Sequence, residues 1–264
     1  MVITIIPSGQ AYSELVTRLD LTQPLDIQTL TAIKLTWLVH HVLSSLQQAM
    51  VEDGLESFSQ YMGPFILLAE DRSHNIAEER PANETSSLVA EGWHKVWIFQ
   101  ENLPVGTCLF GITIAPHNGD MLCINQHKAL VKMPAELRTK IEGELAMHSA
   151  VTKHSPQGLC VAANKEKDRN MTLVPLEEAK ERSLHPLLRI HPESDKEAVY
   201  KCVGYIVGID GMEEATSKDL LVELYQWQKD MLMIWGVPSV LNPAISCYEG
   251  YDRPLHRTAI GSVG

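Results

Sequence analysis

The chain has 264 residues, 45% of them hydrophobic and 21% charged, enough for one large domain or two small ones around a substantial core and ordinary for a soluble globular protein. Its formal net charge of -11, with no cluster of Lys and Arg, argues against binding a phosphate backbone. No apolar run reaches the roughly 18 residues of a membrane helix, and the start MVITIIPSGQ lacks the basic and apolar regions of a secretory leader, so a cytoplasmic protein binding neither membrane nor nucleic acid is expected.

Residues 2–6, VITII, predict a first strand. A helix is predicted within 26–50, where Asp26 offers an N-cap and Leu30, Ile33, Trp37 and Val42 recur at helical spacing. LESFSQYMG, residues 55–63, predicts a second helix stopped by Gly63, and FILLA, residues 65–69, a buried strand. From residue 93 the texture changes. VGTCLFGITIAP, residues 105–116, is rich in strand-favouring residues, HNGD is a turn signal, and MLCIN, residues 121–125, reads as the returning strand. PAELRTKIEG, residues 134–143, predicts a helix opened by Pro134. Residues 149–182 are polar, contain KEKDRN, and read as a surface insertion or mobile loop.

HPLLRIH at 185–191 and AVYKCVGYIVGI at 198–209 predict further strands, TSKDLLVELYQW at 216–227 a short amphipathic helix, and DMLMIW at 230–235 and RPLHRTAIG at 253–261 closing strands. Strands dominate the second half and helices flank them, the pattern of a β-barrel or sandwich wrapped by helices. The five cysteines, Cys108, Cys123, Cys160, Cys202 and Cys247, are odd in number and form no CxxC pair, so they read as buried thiols of a reducing compartment.

Four segments taken in order carry a resemblance: GWHKVWIF (92–99), the run from Pro104 to Ser149, HPLLRIHPESDKEAVY (185–200) and WGVPSVLNPAISCYEGYDRPLHRTAIG (235–261). Together with LDLTQPLD (19–26) they make the chain similar to the taurine/alpha-ketoglutarate dioxygenase (TauD/TfdA-like) family over most of its length. The resemblance implies a single domain over 1–264, mainly β within an α+β chain: a double-stranded β-helix, or cupin-like jelly roll, flanked by helices. It also implies Fe(II) and 2-oxoglutarate as cofactors. Carried over residue by residue, His94 matches the first iron-binding histidine, while Val96 stands at the carboxylate ligand and Asn242 at the distal histidine. Gly236 and Val237 replace an Asp-Asn pair after Trp235, and Met121 replaces a threonine that helps hold 2-oxoglutarate. Arg253 and Arg257 match arginines that grip the co-substrate and often an acidic substrate. The region before Asp230 is shorter than the family pattern by about one hairpin.

The chemistry of these replacements stands without the family. Side chains two apart on a strand share a face, so a His-x-Asp strand offers two ligands to one metal and a distant third ligand completes the site. Valine has no lone pair to donate, Asn242 offers a neutral amide oxygen, and one imidazole does not retain Fe(II). No cofactor is therefore expected. His117, His127 and His148 are the nearest substitute ligands in sequence, and each reads as a surface or supporting histidine.

On a strand Trp93 and Trp97 share the face opposite His94 and Val96, which leaves a largely apolar pocket of His94, Val96, Met121 and Asn242, with Trp235 at the binding wall. Arg253 and Arg257, four apart, share a strand face and attract carboxylate or sulfonate, although Arg253 equally fits pairing with Asp252 or Glu249. The expected function is a metal-independent isomerase, cyclase or lyase acting on a small organic molecule with an acidic or oxygen-bearing group. His94 would move a proton while Asn242 or Arg257 orients an oxygen. Two readings stand beside it: an Fe(II)/2-oxoglutarate dioxygenase with a non-standard metal site, and a non-catalytic partner subunit. Assembly into a homo-oligomer is expected from the habit of relatives with this fold.

Overall fold

The structure is a computed structural model of the protein. The residues described are 4–7, 14–17, 19–50, 52–64, 75–77, 95, 97–111, 123–158, 171–173, 175, 177–202, 204–226, 240–241 and 255–260, with backbone alone for 7, 14, 52–53, 75–77, 171–173, 177, 226, 240–241 and 255–260. The predicted strand FILLA, the turn HNGD and the strand DMLMIW lie outside them.

Strand β1 (Thr4–Pro7) pairs antiparallel with β2 (Glu14–Thr17), and β3 (Leu43–Ser44) joins β2 in parallel. Helix α1 (Ile27–His40) crosses between β2 and β3. Its first turn is capped by the Asp26 carboxylate, which accepts the Thr29 N–H at 2.7 Å. The helix stops before the end of the apolar pattern because His41 adopts a left-handed backbone with φ 63, and its N–H turns back to the Trp37 carbonyl. Val42, included in the helical spacing, therefore belongs to the segment after the helix. Helix α2 (Glu52–Met62) follows as predicted.

The C-terminal strands return onto the middle of the chain. β5 (Gly106–Gly111) pairs with β14 (Leu255–Ile260), and β6 (Ile124–Asn125) pairs with β13 (Val240–Leu241), both antiparallel. β4 (Asn75–Ala77) likewise meets β8 (Met171–Leu173). Asn125 then caps α3 (Gln126–Val131) by accepting the Lys128 N–H at 2.9 Å. α4 (Ala135–Ile141) starts directly after Pro134 and leads, through Gly143 at φ 80, into β7 (Leu145–His148). Glycine tolerates that backbone at no steric cost. β7 is the central strand of a sheet with β12 (Ile206–Ile209) and β9 (Ser183–Pro186), and β10 (Leu188–Ile190) forms a hairpin with β11 (Glu197–Val199). α5 (Val151–His154), a 3-10 turn at Glu177–Lys180 and α6 (Glu214–Gln226) are the remaining helical segments among the described residues.

The largest core lies where α3, α4 and α6 cover the β12-β7-β9 sheet, around Leu137, Ile141, Leu187, Val199, Ile209 and Leu224. Each such side chain contributes about 1.5–3 kcal/mol on burial. A second core under α1 and α2 holds Val16, Ile33, Met62 and Val105, and a third joins Ile98, Leu103, Ile124, Tyr200, Cys202 and Tyr205. The ends of the 149–182 segment are built into the fold: Ser149 Oγ donates to the Ala179 carbonyl at 2.8 Å, and Ser149, Ala150 and Ala179 are buried. Among the described residues the strands form ladders of two or three, without closure into one barrel, and no helix is long and apolar enough to cross a membrane. Cys108, Cys123 and Cys202 form no disulfide, and Cys160 and Cys247 lie outside the described residues.

Candidate functional site

Of the residues singled out from sequence, His94, Val96, Met121, Trp235, Asn242 and Arg253 lie outside the described residues, as do Trp93 and His117. Arg257 is described by its backbone, on β14 at the register position opposite Leu109. Their described neighbours nevertheless converge. Leu241, next to Asn242, pairs with Ile124, which lies three residues after Met121. Ile124 shares a buried cluster with Ile98, Tyr200 and Cys202, and Lys95, next to His94, sets its ammonium 4.3 Å above the Tyr200 ring. Residues 97–100 form a turn, with Trp97 at φ 52, so the strand alternation that put Trp97 on one face with Trp93 does not reach it.

Lys95 is 1% exposed. Burial is the main cause that draws its pKa down to about 7, with the cations Arg189 and Lys201 adding to it. Tyr200, beneath it, also carries the Arg189 guanidinium 5.3 Å from its ring centroid, and burial pushes its phenol well above the ordinary range. Burial raises the Cys202 thiol too, although Cys202 accepts the Lys95 and Gly204 N–H groups. The Tyr200 ring touches two more titratable groups: His148, with centroids 5.9 Å apart, and His185, at 5.8 Å.

His148 and His185 sharpen the sequence reading, which left His148 either at the surface or in a supporting place. His148 is fully buried rather than at the surface, and burial, then the neighbouring His185, lowers its pKa to about 3. Its Nδ1–H donates to the Ala146 carbonyl at 3.1 Å, which leaves an Nε2 lone pair with no hydrogen-bond partner. His185 Nε2–H donates to the Gln100 carbonyl at 2.9 Å and so pins the turn that follows the His94 motif. Sequence reasoning quoted His185 within the family-like run but gave it no role. The visible signal was its place before Pro186 in a strand, where a buried imidazole needs a fixed partner.

A second histidine group lies at the end of α1. His41 and His127 have ring centroids 5.2 Å apart, and His191 is 6.5 Å from His127. His127, also expected at the surface or in support, is buried, and its Nδ1–H donates to the Glu197 carbonyl at 2.7 Å. Its Nε2 makes no hydrogen bond. His191 Nδ1 accepts the N–H groups of Glu193 and Ser194 and so caps its own turn. Burial first, then the neighbouring imidazoles, brings His41 to about 3 and His191 to about 4, and burial lowers His127.

The described interior thus holds imidazoles, thiols and phenols whose burial favours the neutral form, beside the Arg189 guanidinium and the lowered lysines Lys95 and Lys201. Such a surrounding strengthens any charge introduced into it. Among the described residues no group of three or more His, Cys, Asp or Glu side chains is placed to hold a metal ion. The motif residues His94, Val96 and Asn242 supply one imidazole, no carboxylate and one amide. That set departs from the two imidazoles and one carboxylate by which non-haem Fe(II) oxygenases hold their metal.

The protein is 23% identical over 262 residues to an alkylsulfatase of Acinetobacter baylyi, covering 93% of this chain and 81% of that one. A crystal structure from Burkholderia xenovorans, proposed to be an alpha-ketoglutarate dependent 2,4-D dioxygenase, superposes with TM-score 0.76 at 18% identity, covering 98% of this chain and 97% of the other. AAD-2, solved with Mn(II) and N-oxalylglycine, gives TM-score 0.74 at 15% identity over 100% and 98% of the two chains. These likenesses establish the TauD-like dioxygenase fold, with mixed helices and strands. The model of the family described as taurine catabolism dioxygenase TauD, TfdA matches residues 7–234, a span that includes positions 94, 96 and 121 and ends before Asn242. A match over so much of the sequence makes this chain a member of the TauD, TfdA family.

Proposed function

We propose that this family member transforms a small organic molecule without holding iron, as an isomerase, cyclase or lyase. The observation that supports it is Val96, at the motif's carboxylate position and inside the span matched to the family. His94, free of metal, moves a proton near neutral pH. Asn242 and Arg257 orient an oxygen of the substrate, and Arg253 with Arg257 attracts its acidic or oxygen-bearing group. Val96, Met121 and Trp235 give the pocket its apolar wall.

Metal analysis tests this. Protein purified without oxygen and supplied with Fe(II) and 2-oxoglutarate is expected to retain far less than one iron per chain, and Val96→Asp with Asn242→His is expected to gain iron. Near-stoichiometric iron in the wild type overturns the proposal. A double variant that binds no more iron than wild type shows the site to lie elsewhere. Small carboxylates and sulfonates are expected to raise the melting temperature through Arg253 and Arg257. A chain that responds only to a protein partner would be a non-catalytic subunit.

One observation favours a second reading, a dioxygenase with a non-standard metal site. His127 and His148 each present a buried, unpartnered Nε2 while Nδ1–H is held by a carbonyl, the way metal-binding imidazoles are oriented. The same iron titration decides between the two.

A further inference from the structure

Between α1, α2, β3 and β5 lies a cavity of about 220 Å³. Its walls include Trp37, Leu43, Phe58 and Met62, and no Asp, Glu, Lys or Arg is among its described lining residues. Two lining hydroxyls, Ser45 Oγ and Thr107 Oγ1, are buried and make no hydrogen bond. Leaving a buried hydroxyl unpaired is unfavourable, and native folds rarely do it twice around one space without something to fill it. The third polar lining group of note, Gln48, is already engaged: its amide donates to the Leu19 and Leu46 carbonyls and accepts the Leu21 N–H. His41 reaches the wall as a neutral imidazole, since burial holds its pKa at about 3.

Apolar cavities of about 150 Å³ already hold benzene, so this volume takes a somewhat larger ring. We propose that this cavity is a binding site for an uncharged, single-ring aromatic or alicyclic molecule bearing one hydroxyl or carbonyl oxygen. The ring lies against Trp37 and Phe58, and the oxygen meets Ser45 and Thr107. An ionised ligand is disfavoured because no described lining residue carries a compensating charge. The site is built by the helical side of the chain, and its occupancy does not depend on whether His94 works with or without a metal.

The probes are benzyl alcohol, toluene and benzoate, read by slowed alkylation of Cys108, which lines the cavity, and by ligand-observed NMR. Benzyl alcohol is expected to bind saturably and protect Cys108, with benzoate weaker by tenfold or more. Leu43→Trp, which fills the space, is expected to abolish both effects. Should that variant fail to fold, Ser45→Ala with Thr107→Val leaves the volume open. It is expected to weaken benzyl alcohol by about fivefold to tenfold, the loss of one hydrogen bond, and to leave toluene unchanged. Absence of saturable binding, equal binding of benzoate, or protection undiminished by Leu43→Trp overturns the proposal. Equal loss of toluene and benzyl alcohol in the double variant overturns the role of the hydroxyls.

Discussion

Acidification should unfold this protein early, because its buried histidines are held neutral. His41 and His148 titrate at about 3 and His191 at about 4 in the fold, against an ordinary value of about 6.5. The unfolded chain therefore takes up protons below pH 6.5 that the folded chain refuses, and stability falls as pH drops from 6.5 toward 4. At pH 5 each such group disfavours the fold by about 2 kcal/mol, so the three together remove about 4–6 kcal/mol once solvent screening of the partly exposed rings is allowed for. His127 and His185, also lowered, act in the same direction. Against a net stability of about 5–15 kcal/mol, that brings the acid transition to about pH 5 for a fold at the lower end of the range and to a lower pH for a more stable one.

The carboxylates do not confuse the window. Asp20, Asp26 and Glu213 are lowered by hydrogen bonds from their neighbours, so their contribution is lost only as pH falls below about 4.5. Urea midpoints measured from pH 8 to pH 4.5 should fall steeply below pH 6.5. Calorimetry in two buffers of different ionisation enthalpy should show uptake of about two or more protons on unfolding at pH 5.5. A midpoint that stays level from pH 7 to pH 5, or unfolding without proton uptake, refutes the argument.

Lys95 and Lys201, both drawn down to about 7 chiefly by burial, act on the alkaline side: stability should climb from pH 7 toward 10 as the unfolded lysines lose their protons. Lys95→Met should remove about half of that slope in urea titrations, and an unchanged slope would place the titration elsewhere. Ser217 Oγ, 3% exposed as a residue, accepts the Ile209 N–H at 2.9 Å, so Ser217→Ala should lower stability by about 1–3 kcal/mol in urea melts. His185→Phe keeps a ring against Tyr200 and loses the bond to the Gln100 carbonyl. Hydrogen exchange at residues 97–100 should then accelerate more than in the β12-β7-β9 sheet.

Elements set by local chemistry were legible in the sequence. Asp26 before an apolar run, Gly63 after one, and Pro134 before AELRTKI each mark a helix end by a backbone mechanism. The end of α1 was not legible, because His41 enters a left-handed backbone that its residue type does not announce. The motif around His94 was legible as a pattern of residue types. Its surroundings were not, since Lys95, Tyr200, Cys202, His148 and His185 come from segments up to about a hundred residues apart in sequence, and nothing local marks them as neighbours. Charge likewise hides: eleven histidines and two buried lysines read as ordinary polar residues until packing fixes how much water each one keeps.

The same loss of water bears on why valine suits position 96. In a family member with its metal, a carboxylate there is neutralised by the ion it holds. Without a metal, an aspartate on the strand face read for Val96 would share that face with His94, Met121 and Asn242, none of them a fixed cation, and would point away from Lys95 one residue before it. A charge left uncompensated in such a place typically costs roughly 3–5 kcal/mol. Val96→Asp alone should therefore lower the melting temperature in metal-free buffer. Adding Fe(II) should restore it only when Asn242→His is also present, because a single imidazole with one carboxylate still lacks its third ligand. Melting curves of the single and double variants, with and without Fe(II), separate the contributions. A single variant as stable as wild type, or one rescued by iron without Asn242→His, would show that position 96 does not face the place where the family holds its metal.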